Sequence, residues 1–212
     1  MATTKYSDLI SEVLPLLAAD PSDPVTEAAI KRACIEFCNG SWVWQHVPDP
    51  LDIEAGVIEY DLDPPTGADI STVVDVTIDG QPGKLRDIAW INSQLPRWRT
   101  EPGHVMFATQ INTEQLILAP CPAWGVSGGI EMTLALQPAL KATGLPRWIA
   151  TQYLYSLVDG AVGYLMLMPS TDWTDLNMAA IKLKSFQAAI SGARADAISA
   201  LGRAPTRTTP QH

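Results

Sequence analysis

The sequence has few of the residue types from which catalytic and metal sites are built. Its 212 residues include three cysteines and three histidines, and one histidine, His212, is terminal. Three cysteines make a disulfide framework improbable, and no basic region followed by an apolar run opens the chain, so we expect a reducing compartment and no secretion signal. Glycines lack phosphate-cradling spacings, and no serine occupies a G-x-S-x-G turn. We therefore predict a protein that is not an enzyme, with no catalytic, cofactor-binding or metal-binding residues.

The best metal-ligand candidates are Cys34 and Cys38, which lie four residues apart on a predicted helix. A structural zinc ion needs four ligands in recognisable pairs. His46, His104 and Cys121 could complete a set, but the last two lie far along the chain. Because free cysteine behaves as a small apolar residue, we interpret the pair as part of the helix's buried face.

Positive charge is missing from a long stretch of the chain. The net charge is −9, and no Lys or Arg occurs from Ala33 to Gly83, where there are ten carboxylates. After Ile181 the balance reverses, with five basic residues against Asp196 alone. The negative charge argues against nucleic-acid binding through a generally basic surface. An acidic middle and a basic C-terminus suggest different neighbours at the two ends, but charge alone favours the simpler interpretation of a solvated surface.

The most apolar stretch, residues 145–168, raises the question of a membrane span. Arg147, Gln152 and Asp159 interrupt it, and a carboxylate at mid-span costs about 2.5 to 3.5 kcal/mol on insertion scales. We therefore predict a buried helix and no membrane contact. Gly160 and Gly163 would then mark places where another helix comes close.

Helix signals cluster at the two ends of the chain. Asp23 and Pro24 are typical of a helix start, with an end expected at Asn39 and Gly40. Pro146 opens a later helix and Pro169 closes it, and residues 170–172 offer caps for the last helix. That helix carries apolar residues at spacings of three and four, a heptad-like seam: Leu176, Ala179, Leu183, Phe186, Ile190, Ala193 and Ala197.

The region between these helices has the two-residue period of antiparallel strands. Residues 51–53 and 58–62 alternate around a turn at Ala55 and Gly56, and Asp79–Gly80 is a strong hairpin pair. About six short strands are expected, in a small sandwich or open barrel. The predicted fold is thus α+β, with a helical bundle formed by residues 1–45 and 139–201, an inserted β subdomain at 46–138, and an extended tail at 202–212. The bundle core is predicted to contain Phe37, Trp42, Trp148, Leu183, Phe186 and Ile190.

Several segments, in order along nearly the whole chain, resemble the head-to-tail adaptor (connector) proteins of short-tailed double-stranded DNA phages and related prophages. The resemblance rests on structural positions: residues 33–38 followed by Trp42 and Trp44, residues 60–64, Asp79 to Pro82, residues 116–122, Leu136 to Trp148, and residues 202–205.

The resemblance implies a structural protein of the virion neck. Such adaptors form rings, here expected to contain twelve copies, which assemble in the host cytoplasm, attach to the portal protein and receive the tail nozzle or tail fibres. Double-stranded DNA passes through the central channel without sequence-specific binding. The C-terminal segment of such proteins extends along the portal, which assigns portal contact to Gly202, Arg203, Ala204, Pro205, Thr206 and Arg207.

Two other interpretations of the residues stay open at this stage. Seven tryptophans and carboxylate pairs such as Asp52 with Glu54 could belong to a virion protein that binds or hydrolyses an envelope polysaccharide. The chain could also be another neck or capsid component. The first alternative needs two carboxyl groups converging about 5 to 10 Å apart in a pocket.

Overall fold

The computed structural model describes residues 2–199, and within them the chain has a mixed α+β fold, as predicted. The helices are α1 (Ile10–Val13), α2 (Asp23–Ser41), α3 (Ile88–Gln94), α4 (Arg147–Gln152), α5 (Leu154–Met166) and α6 (Leu176–Ile198). The strands are β1 (Thr3–Lys5), β2 (Gln45–His46), β3 (Leu51–Ile53), β4 (Glu59–Asp61), β5 (Ala68–Ile78), β6 (Gln81–Pro82), β7 (Lys84–Leu85), β8 (Pro102–Gly103), β9 (Phe107–Thr109), β10 (Gln115–Ala119), β11 (Cys121–Pro122), β12 (Val126–Pro138) and β13 (Gly144–Pro146). The predicted tail, residues 202–212, lies outside the described residues.

The chain separates into two compact units. The helical unit contains the residues up to Val43 and those from Thr143 onward, and the β unit is Trp44–Ala142. The boundaries expected from the sequence, at 45/46 and 138/139, remain a prediction.

In the helical unit, α2, α5 and α6 each contact the other two. Helices α5 and α6 run antiparallel, since Gly160 faces Phe186 while Gly163, one turn later, faces Leu183. Both glycines therefore lie where a neighbouring helix comes close, as predicted: a Cβ on Gly160 would lie 2.9 Å from the Phe186 ring. The short strands β1 and β13 pair antiparallel beside these helices.

Three helix boundaries differ from the sequence prediction. Helix α2 includes Gly40 and ends at Ser41, and the missing side chain of Gly40 leaves room for Ile190 of α6. The predicted helix after Pro146 is divided into α4 and α5 at Tyr153, whose ring packs against Phe37 at 4.8 Å. The last helix is capped by Asp175, whose carboxylate accepts hydrogen bonds from the backbone N–H groups of residues 177 and 178.

The β unit is built in three layers. A five-stranded sheet contains β2, β12, β5 and β6 in this order, with β3 also paired to β12. Its buried side chains share one hydrophobic cluster with a four-stranded sheet of order β4-β10-β9-β7. Side chains alternate along β10, so Leu116 and Leu118 belong to that cluster, whereas Ile117 packs in a second cluster with Ile91 of α3. The second cluster places α3 over the other face of the four-stranded sheet.

Strand pairing in the β unit departs from a simple antiparallel pattern. The segments around Ala55 and Gly56 belong to different sheets, since β3 pairs with β12 and β4 with β10. Two short pairs, β7 with β9 and β8 with β11, are parallel. The described chain has more strands than the six expected, because several are two residues long. The hairpin at Asp79–Gly80 forms as predicted, with both residues at positive φ.

Candidate functional site

The predicted core residues of the helical unit occupy different environments. Phe37 and Phe186 are fully buried with ring centroids 6.2 Å apart, and Ile190 is buried beside Gly40. Leu183 is half-buried against Gly163. Trp42, also half-buried, ends α2 in the left-handed region at φ 57° and carries the Arg194 guanidinium 3.6 Å from its ring centroid.

The prediction that Trp148 lies in the core is wrong, because its side chain is 41% exposed. The next two residues of α4, Ile149 and Ala150, face the interior, which leaves Trp148 on the outer side of the turn. Trp148 lines an open groove of about 480 Å³ with Ala2, Arg147, Thr151 and Gln152. Tyr155, the second residue of α5, is 85% exposed. Aromatic side chains on a surface are typical of protein interfaces.

A polar network that the sequence did not reveal connects the three long helices. Glu36 of α2 accepts hydrogen bonds from the Tyr164 hydroxyl of α5 and from Gln187 of α6, the latter at 2.7 Å. Burial, followed by the hydrogen bond and charge of Glu36, raises the pKa of Tyr164 to about 12. Asp159 of α5 accepts from Lys182 at 2.7 Å and Ser185 at 3.0 Å. These hydrogen bonds stabilise the alignment of the three helices along their lengths, so their role is structural.

The six residues assigned to portal contact, 202–207, lie outside the described residues, so their assignment stays a prediction.

The carboxylates of the β unit do not form acid–base pairs in a cleft. Asp52 lies on an exposed strand face, where hydrogen bonds from the Gly128 N–H and the Ser127 hydroxyl lower its pKa. Glu59 and Asp61 are both exposed on β4, on either side of the buried Tyr60. Such carboxylates are the solvent side of strands whose other side is core.

Three grooves among the described residues contain at most one carboxylate each. The groove beside Arg97 contains Glu101, the groove beside Trp124 contains Asp79, and the groove at Trp148 contains no carboxylate. A glycosidase needs two carboxyl groups in one site. In residues 2–199, no three His, Cys, Asp or Glu side chains gather closely enough to hold a metal ion.

The tryptophans of the β unit do not form an open stacking platform. Trp98 is 2% exposed and donates its indole N–H to Asn92, and Trp90 is half-buried against Phe107. Trp124 is 49% exposed, with the ring of His104 stacked 5.8 Å away. These rings mainly serve packing, and the exposed part of Trp124 is available to a partner.

Among residues 2–199, no helix combines the length and apolar character needed to cross a bilayer.

Two comparisons with known proteins bear on the role of the chain. No curated protein matches the chain. The family model described as SU10 adaptor protein matches residues 4–209, which is nearly the whole sequence. The match confirms the resemblance drawn from the residues and implies a structural role in the virion, together with contacts to other head or tail proteins. The chain therefore belongs to the SU10 adaptor protein family, a family of phage adaptor proteins.

Proposed function

We propose that this adaptor forms a ring of twelve copies between the portal protein and the tail nozzle or tail fibres, in the neck of the virion. The observation that carries the proposal is the family match over residues 4–209. Exposed aromatic side chains at Trp148, Tyr155 and Trp124 support it, because a protein that assembles with several neighbours needs such contact surfaces. Assembly takes place in the host cytoplasm before the tail is completed.

The charge of the chain suits a channel through which DNA moves. The net charge is −9, and exposed carboxylates cover the strands of the β unit. A negative wall repels phosphate groups and limits adhesion of a passing duplex. Transit without sequence-specific binding is the role we assign to the ring's central channel, and we assign no catalysis to the chain.

We assign portal attachment to the C-terminal tail. Residues 202–212 contain Arg203 and Arg207, no acid and two prolines. A segment of this composition cannot form a core of its own but can lie extended in a groove. Its arginines can make bidentate contacts with carboxylates on the portal, and burial offsets the loss of chain entropy.

Truncation tests the assignment. Removing residues 202–212 should leave the unfolding transition unchanged and abolish binding to the phage's own portal protein, measured by surface plasmon resonance. Removing residues 208–212 alone is the matched control, because it retains the six proposed contact residues and should bind as the full chain does. If the longer truncation binds the portal with unchanged affinity, the attachment surface lies elsewhere.

A further inference from the structure

Positive charge in the β unit is concentrated in one short stretch. Four of its five Lys and Arg residues lie between positions 84 and 99, in a unit with thirteen carboxylates. We call Lys84, Arg86, Arg97 and Arg99 the basic patch. All four are exposed, and no carboxylate of the described chain forms an ion pair with any of them.

Tryptophan rings hold two of these cations in place. The Arg99 guanidinium lies 4.1 Å from the ring centroid of Trp98, and that of Arg86 lies 5.3 Å from Trp90. Both tryptophans pack in the cluster between α3 and the four-stranded sheet. Arg97 lines an adjoining groove of about 490 Å³. Arg99 on the buried Trp98 ring and Arg86 on the half-buried Trp90 ring lose little conformational freedom on binding, so the patch is prepared for a negatively charged partner.

The outer face of the five-stranded sheet has the opposite character. None of its strands contains Lys or Arg. Residues 130, 132, 134 and 136 of β12 point into the core cluster, so Glu131 points outward, and the same alternation directs Asp52, Asp69 and Asp75 outward. Glu131 is paired with Thr77, which makes Asp75 a diagonal neighbour on the same face. We call these four carboxylates the acidic face.

The layer order places the two surfaces on opposite sides of the β unit. The acidic face is the outer surface of the five-stranded sheet. Behind that sheet lie, in order, the core cluster, the four-stranded sheet, and α3 with its tryptophans. Arg86 and Arg99 of the basic patch lie on that last layer, over Trp90 and Trp98. Two surfaces of complementary charge on opposite sides of one molecule suit a head-to-tail contact, which produces a ring when the rotation between copies closes.

We propose that the basic patch of each copy docks on the acidic face of the next copy in the ring. The inference rests on the ring proposed above and names the surfaces that join its members. Arginine fits this contact because its guanidinium binds carboxylates in a bidentate manner. A second copy is favoured over DNA as the occupant, because the complementary surface is present on the chain itself and the net charge of −9 opposes approach of phosphate.

A charge swap tests the contact. One variant carries Arg97→Glu and Arg99→Glu, and the other carries Asp75→Lys and Glu131→Lys. Each places like charges at every junction between copies, so each alone should lose about a hundredfold or more in affinity between copies. An equimolar mixture should restore rings of alternating variants, since each junction again joins opposite charges. The readout is particle mass by native mass spectrometry, with the full-length chain assembled on the phage's portal protein.

Matched controls separate the contact from a general effect of charge. The double variant Lys141→Glu with Lys184→Glu changes the net charge by the same amount as Arg97→Glu with Arg99→Glu. The double variant Glu59→Lys with Glu114→Lys likewise matches the net charge of Asp75→Lys with Glu131→Lys. All four positions are exposed and lie outside both surfaces, so rings should form normally. Circular dichroism checks that every variant is folded.

The outcomes distinguish the contact from the ring itself. If either swapped variant forms rings alone, the proposed contact between the basic patch and the acidic face is wrong. The contact is also wrong if both variants fold but their mixture forms no rings. Neither result contradicts the proposal that the wild-type chain forms a ring. If the Arg97/Arg99 variant forms intact rings but retains DNA differently from the wild type, the basic patch binds DNA and not a second copy. That result would also contradict the proposed contact. If the wild-type chain forms no ring with the portal, the proposed function fails, and the contact fails with it.

Discussion

Phe186 offers the sharpest test of how the helices pack. Its fully buried ring lies between α2, α5 and α6, with the ring centroids of Phe37 and Tyr164 at 6.2 and 6.4 Å. Replacing a buried phenylalanine with alanine removes its transfer free energy and leaves a cavity, so Phe186→Ala should cost about 3 to 5 kcal/mol.

Gly160 makes the prediction more specific. An added Cβ would lie 2.9 to 3.0 Å from three atoms of the Phe186 ring, and overpacking of this kind costs about 1 to 3 kcal/mol. Without the ring the obstacle is gone, and alanine is better than glycine in a helix by up to about 1 kcal/mol. Gly160→Ala should therefore destabilise the wild-type protein but stabilise the Phe186→Ala variant, a coupling of about 1 to 3 kcal/mol.

Urea unfolding followed by far-UV circular dichroism measures all four members of this cycle. Gly192→Ala on α6 is the control, because nothing lies within 4 Å of its added Cβ, and it should raise stability by up to about 1 kcal/mol. A near-zero cost for Phe186→Ala, or an effect of Gly160→Ala that is the same in both backgrounds, would refute the packing described here.

Two further predictions concern titrating and reactive groups. Because the pKa of Tyr164 is raised from 10.0 to about 12 in the folded state, its contribution to stability is complete below about pH 10 and is lost as the pH rises through about 12. Urea midpoints measured across that range should fall less steeply for Tyr164→Phe than for the wild type, and equal slopes would contradict this. Cys34, Cys38 and Cys121 are buried, and burial raises the pKa of Cys34 and Cys38, so iodoacetamide should label them only when the chain unfolds. Rapid labelling of the native protein, followed by mass spectrometry, would show that the thiols are accessible.

Features set by local chemistry were accessible from the sequence. The Asp79–Gly80 hairpin follows from two residues that tolerate positive φ. The close approach at Gly160 and Gly163 follows from glycines within an apolar helix. In both cases the residue type itself carries the signal, and a sequence displays residue types directly.

Features set by distant partners were not accessible. Glu36 meets Tyr164 and Gln187 across 128 and 151 residues. Gly40 lies within α2 against Ile190 of α6, a contact between residues far apart in the sequence. Trp148 points outward because other residues of its helical turn pack into the core. From hydrophobicity alone, the Trp148 side chain was expected to be buried.

The candidate surfaces show the same division. The absence of Lys and Arg from residues 33–83 is visible in the sequence. The concentration of the basic patch within residues 84–99 is visible there too. The contacts that hold Arg86 over Trp90 and Arg99 over Trp98 are seen only in the structure. The acidic face likewise requires the pairing of β5 with β12.

The central claim is that this adaptor forms a ring on the portal, and the symmetry of the assembled particle tests it most directly. Purified chain should be imaged by cryo-electron microscopy alone and after mixing with the phage's portal protein. We expect a complex with twelve adaptor copies around a central channel, in contact with the portal. A portal that carries no adaptor density, or adaptor bound without rotational symmetry, would contradict it.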